Sequence, residues 1–206
     1  MESPFPGFLA AMPPVTSGVD AVVRPSEASI ARWAHLVPPE LVAFWRAIGW
    51  GGFGNGIVHI CDPALLQPSL ELWLGTTSDL RVPFSRSAFG EIFYWRDMRS
   101  EAAQAGMTGT RPGELGDVSC VDPHVREISV LAVSVDELFE DAFCDAGFAE
   151  RFLRRSLVDA AREIWGPLAP HEQLAFVPAL ALGGAEDLGS VAKVDMFVQQ
   201  SLLRQT

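Results

Sequence analysis

Apolar positions along the chain alternate between a helical and a strand-like period, and the changes mark out its elements. In "VPPELVAFWRAIGWGGFGNG", Leu41, Phe44, Trp45 and Ile48 recur at i, i+3, i+4 and i+7, the one-sided spacing of an amphipathic helix. Pro38 and Pro39 open that helix, and Gly49 stands where a left-handed cap closes one. A shorter helix is predicted over 26–36, with Ser26 as N-cap and Ile30, Trp33, Leu36 and Val37 turned inward. "IVHIC" is strand-like, and "DPALLQPSLELWL" begins a helix behind an Asp62 cap. "RVPFSRSAFGEIFYWRD" predicts two strands about a turn at 87–90, and "DVSCVD" and "EISVLAVS" predict two more. A helical region follows over about 135–165, broken near Gly147, with Leu153, Leu157, Ala161 and Ile164 inward. "LAFVPALALGG" reads as a buried apolar segment and "VDMFVQQSLLRQ" as a closing helix. Residues 1–14, with four prolines, read as irregular, and the small-residue stretch 100–116 as a loop.

Strands in the middle with helices at both ends predict an α+β fold: a central antiparallel or mixed sheet, with helices at the N- and C-terminal ends. The expected divisions are an irregular lead-in over 1–23, an α+β region over 24–134 and a mostly helical region over 135–206. The last two are expected to pack as one compact unit. Gly49, Gly51 and Gly54 satisfy the G-x-G-x-x-G spacing of a dinucleotide site. Such a site follows a strand and opens a helix, whereas here a helix ends and a strand begins. The glycines are expected to form a turn beside bulky Trp50 and Phe53.

Charge narrows the function. The chain carries 26 acidic and 15 basic side chains, a net −11. It is therefore repelled by nucleic acid and by anionic membranes. The run "VDELFEDAFCDAGFAE" holds six acids and no base. As a helix it would set Leu138, Phe139 and Phe143 inward and its carboxylates outward. Two readings stand for that face, a solvated surface or a docking surface for a basic partner. In the second, the contacts fall to Asp136, Glu137, Glu140, Asp141 and Asp145. No apolar run approaches the ~18–20 residues of a membrane span, and the start lacks a basic, then apolar, signal pattern. The expected location is the cytoplasm. Cys61, Cys120 and Cys144 are widely spaced and odd in number, as reduced thiols rather than a disulfide or zinc framework.

Catalytic patterns are sparse. The sequence contains neither G-x-S-x-G nor H-E-x-x-H, and no phosphate loop precedes its one lysine, Lys193. No catalytic residue, cofactor or metal ligand is assigned. Asp122 and His124 in "VDPH" form the most site-like pair, since a carboxylate can orient an imidazole; a proline turn between strands explains the tetrapeptide equally well.

"VPPELVAFWRAIGWGGFGNGIVHICDP", "RSAFGEIFYW", "VDPHVREISVLAVS" and "GPLAPHEQLAFVPALALGGAEDLGSVAKVD" together resemble the GAD-like immunity proteins. The similarity spans roughly 24–203, so that 24–134 corresponds to the GAD-like region and 135–206 to the immunity-type region. "RSEAAQAGMTGTRPGELG" departs from it, standing where a shorter connection is expected. The resemblance implies a non-enzymatic cytoplasmic protein that binds and blocks a cognate DNase toxin of the type VI secretion system. The partner is then a nuclease with a basic surface, with no direct nucleic-acid or membrane binding. The alternative is a regulatory or small-ligand-binding α+β module, with a pocket near the glycine turn and "VDPH".

Overall fold

In the computed structural model, which describes residues 4–75, 80–107 and 113–205, the predicted strands and part of the glycine stretch join one sheet. Its strands are β1 (Gly51–Phe53), β2 (Val58–Ile60), β3 (Arg81–Ser87), β4 (Ile92–Asp97), β5 (Gly116–Asp122) and β6 (Glu127–Ala132). They lie in chain order, each antiparallel to the next, so the sheet is a meander with β1 and β6 at its edges. Helices α1 (Pro6–Ala11), α2 (Glu27–Trp33) and α3 (Pro39–Ala47) precede it, α4 (Pro63–Leu74) joins β2 to β3, and α5 (Arg99–Gln104) follows β4. After β6 come a π-helical turn (Glu137–Ala142), α6 (Ala146–Arg151) and α7 (Arg155–Trp165). A separate hairpin of β7 (Glu172–Phe176) and β8 (Val191–Asp195) and a last helix, α8 (Met196–Gln205), complete the fold. The α+β expectation holds, with an antiparallel main sheet.

Alternation along β4 divides the core. Phe93 and Trp95 face the main cluster, where Phe5, Phe8, Phe44, Phe53, Phe139 and Phe143 interlock. Ile92 and Tyr94 face the other way, with Val121, onto Leu70 and Trp73 of α4 and Leu203 of α8. Burying six phenylalanines in one cluster contributes on the order of 2 kcal/mol each, and this cluster seats the acidic run.

Several expectations change. Residues 6–11 form a helix rather than irregular chain, because Phe8 enters the aromatic core and the Glu140 carboxylate accepts from Gly7 N at 3.1 Å. The helical region after β6 breaks before α6 and again before α7, while Gly147 lies inside α6. Ile164 is 60% exposed; Val158 is buried beside Ala161 instead. Only the first part of "LAFVPALALGG" is buried: Leu174 to Phe176 sit in β7, and Val177 and Leu182 face solvent. Val194 and Asp195 end β8 rather than open the closing helix. Of the 100–116 stretch, residues up to Gln104 continue α5, and 108–112 lie outside the described residues.

The glycines make an edge strand as well as a turn. β1 pairs with β2, and Trp50 exchanges backbone hydrogen bonds with Val23 at 2.8 and 2.9 Å. Gly49 has φ +124°, and a Cβ there would run into the Val23 carbonyl oxygen. Gly49→Ala is therefore expected to destabilise the fold by about 2 kcal/mol, measured by urea unfolding at neutral pH. A cost below about 0.5 kcal/mol would show that the close approach is not needed.

Candidate functional site

The acidic run divides by what its carboxylates touch. Glu137 accepts from Val133 N at 2.6 Å while its own N–H donates to the Ser134 hydroxyl at 3.1 Å, a reciprocal cap. Glu140 holds the start of α1. Asp145 caps α6, accepting from Phe148 N at 2.6 Å. These three satisfy backbone donors that helix starts leave unpaired. Asp136 and Asp141 are exposed, and no described hydrogen bond uses their side chains. The turn between them is bonded i to i+5, as in Phe143 N to Leu138 O. That wider winding brings positions five apart to nearly the same side.

Asp136 opens onto a groove of about 400 Å³. Pro38, Pro39 and Glu40 from the start of α3, residues 133–136, Trp95, Gly113 and Glu114 line it. Three carboxylates, from Glu40, Glu114 and Asp136, thus line one depression, although their sequence positions are far apart. β6 is the outer strand, with Ile128 and Val130 exposed and Val133 exposed just after it. Low-dielectric walls concentrate the field of the acids, so the groove suits a cationic side chain better than open surface would. Glu40, Glu114 and Trp95 were not found from sequence, because only the tertiary fold brings them to the acidic run.

Asp122 and His124 do not form an orienting pair. Asp122 Oδ1 accepts from the backbone N–H groups of His124 (2.8 Å) and Val125 (3.4 Å), closing the turn between β5 and β6. The His124 ring is buried instead against Phe89 and Phe176, with Nε2 at 3.0 Å from Phe89 O and 3.6 Å from Glu91 Oε1. It belongs to a buried polar junction beneath "RSAFG". There the Ser87 hydroxyl accepts from Phe89 N, Gly90 N and Glu91 N, and donates to the Glu91 carboxylate. Glu91 in turn pairs with Arg154 at 2.6 Å, whose guanidinium lies over the Phe89 and Phe176 rings. Gln200 donates to Gly90 O and to Gln173, and accepts from Trp73 Nε1 at 2.6 Å. The junction ties the β3–β4 turn to α8, β7 and the start of α7. Among the described residues no group of three or more His, Cys, Asp or Glu could hold a metal ion. Nor is any described helix long and apolar enough to cross a membrane.

Comparisons with known proteins find two family domains in the chain. A family model of the GAD-like domain matches residues 7–105, and one of the C-terminal domain of the T6SS immunity protein Tdi1 matches residues 132–206. No curated protein matches the chain. Among solved structures, Atu4351 from Agrobacterium tumefaciens superposes with a TM-score of 0.65 at 16% identity. The match covers 98% of this chain and 89% of that one, a likeness of fold. The chain thus carries a GAD-like domain followed by the C-terminal domain of a T6SS immunity protein, tied together through the Glu91–Arg154 junction, and the immunity domain implies a toxin partner.

Proposed function

We propose that the toxin is a DNase and that this protein neutralises it in the cytoplasm without catalysis, by occupying the basic surface with which the enzyme grips DNA. The carboxylate-lined groove of Glu40, Glu114 and Asp136, with the exposed Asp141 five residues further along the same acidic run, carries this reading. Nucleases bind phosphates with Arg and Lys, and a face of fixed carboxylates meets the same side chains. The net charge of −11 supports steering of the encounter and opposes direct binding to nucleic acid or anionic membranes. The bare edge of β6 supplies apolar contact beside the charges, which a stable interface needs at its centre.

Co-expression tests the reading. The product of the gene next to this one, produced alone, is expected to degrade chromosomal DNA and kill a bacterial host; with this protein present, survival and DNA integrity should return. The purified pair should associate more slowly as salt rises, by about tenfold or more between low and moderate ionic strength. An effector that kills while leaving DNA intact removes the DNase assignment. An association rate indifferent to salt removes the acidic face.

A further inference from the structure

The main sheet has two edges, and they are finished differently. At β1 the lead-in chain lies alongside: Val15 N donates to Gly52 O at 2.9 Å, Gly52 N to Asp20 O at 2.8 Å and Gly54 N to Pro13 O at 2.9 Å. At β6 no described residue takes that place on the outer side.

The ladder fixes which β6 groups point outward. Met98 N donates to Leu115 O at 3.0 Å, and this pair continues the register in which Asp97 faces Gly116. Hydrogen-bonded and unbonded positions alternate along an antiparallel pair. Asp117, Ser119 and Val121 therefore turn their backbone groups to β4, and Val118, Cys120 and Asp122 turn theirs to β6. Cys120 faces Ser129 and Asp122 faces Glu127. Ser129 and Glu127 thus bond inward to β5, and the N–H and C=O groups of Ile128 and Val130 point away from the sheet. The shift in register falls just beyond them, at Leu131.

The same two residues carry exposed apolar side chains. Ile128 faces Val121 and Val130 faces Ser119, on the side of the sheet where Val121 and Tyr94 pack against Leu70 of α4 and Leu203 of α8. That cover does not reach β6, where Ile128 is 52% and Val130 55% exposed. Edge strands are commonly blunted by lysine or proline, yet "EISVLA" (127–132) has neither, and its one charge is Glu127.

The strand also leads into the acidic groove. Residues 133–136 follow Ala132 without a break and line that groove with Glu40 and Glu114. A segment laid along β6 is therefore delivered, at the end that passes Ala132, to three carboxylates. That favours an occupant with a Lys or Arg at this end. It disfavours a second copy of this chain, which would bring a net −11 against −11.

We propose that the toxin docks by strand addition. An extended toxin segment pairs with the outward N–H and C=O groups of Ile128 and Val130, covers their side chains with alternate apolar residues of its own, and sets a Lys or Arg in the groove of Glu40, Glu114 and Asp136. Main-chain bonds supply affinity in such pairing, and the side-chain contacts select the partner. This docking mode rests on the reading of the protein as a toxin inhibitor that acts through its acidic face.

Amide hydrogen exchange tests it residue by residue, in the free protein and in the purified complex with the product of the neighbouring gene. In the free protein the Ile128 and Val130 amides are expected to exchange fast, while Ser129, bonded to β5, is protected. The complex should slow both at least about tenfold. Ile128→Pro removes an outward N–H and no bond of the β5–β6 ladder, so the variant should fold and bind at least about tenfold more weakly. Ile128→Thr keeps the N–H and the branched shape and should lose less. Should the proline variant fail to fold, the exchange result decides. Amides at 128 and 130 that exchange equally fast in the complex overturn strand addition. A folded Ile128→Pro with wild-type affinity, or equal losses in the two variants, does the same. In each of these cases the acidic-face reading survives if association still slows with salt. A neighbouring product that does not bind removes both.

Discussion

Arg154→Met is expected to destabilise the protein by about 3–5 kcal/mol at neutral pH, lowering Tm by roughly 6–20 °C for a chain of this size. The cause is Glu91, which is 0% exposed and keeps its charge through the 2.6 Å pair with Arg154. Burial alone pushes its carboxyl up. Arg154, His124, the Ser87 hydroxyl and its own backbone N–H outweigh burial and hold it below the ordinary carboxylate value. A carboxyl depressed on folding adds stability that is fully present above its unfolded pKa and is lost as pH falls through the folded value. The wild type should therefore keep this contribution down to the ordinary carboxylate range. In Arg154→Met the sign reverses. Burial then dominates, the carboxyl rises, and the variant's deficit should shrink as pH is lowered from 7.5 to 5.0. Urea unfolding at both values measures this. Glu91→Gln combined with Arg154→Met should recover part of the loss, because no buried charge is left unpaired. A deficit under about 1 kcal/mol, or one that does not depend on pH, would show that the junction is solvated and does not secure the two domains.

That junction shows what the sequence could and could not disclose. The helix of Leu41, Phe44 and Trp45, the Ser26 and Asp62 caps, and the turn at 87–90 are local features, and each stands as read. Periodicity and capping depend on neighbours within a few residues. Glu91–Arg154 spans 63 residues, and Glu40 and Asp136 share a groove from still farther apart in the sequence. Neither pairing leaves a periodic trace. The β7–β8 hairpin was missed because a short apolar run does not separate strand from buried helix. The lead-in was misjudged for a related reason. α1 is six residues long and draws its stability from Phe8 in the core and the Glu140 carboxylate rather than from its own propensity. Within the acidic run the sequence showed charge but not employment: backbone N–H groups hold three of the five carboxylates, and only contacts reveal that.

This division of labour leads to the most direct test of the toxin interface. Asp136→Arg with Asp141→Arg is expected to weaken toxin binding by about a hundredfold and to leave Tm within a degree or two of wild type. Close charge pairs across an interface couple by about 1.5 kcal/mol or more each, so two lost contacts amount to two factors of ten. Both side chains are exposed and neither satisfies a backbone donor, so the fold gives up nothing. Glu137→Gln with Glu140→Gln and Asp145→Asn should do the opposite. The neutral amides weaken three charge-assisted caps, at roughly 0.5–1 kcal/mol apiece, lowering Tm by several degrees. Binding should change far less than in the double reversal. If instead the double arginine variant binds normally and the amide set abolishes binding at a temperature where it is folded, the contact surface lies along the capping carboxylates. If neither set changes affinity, the toxin docks away from the acidic run, and the bare β6 edge with Ile128 and Val130 becomes the surface to mutate.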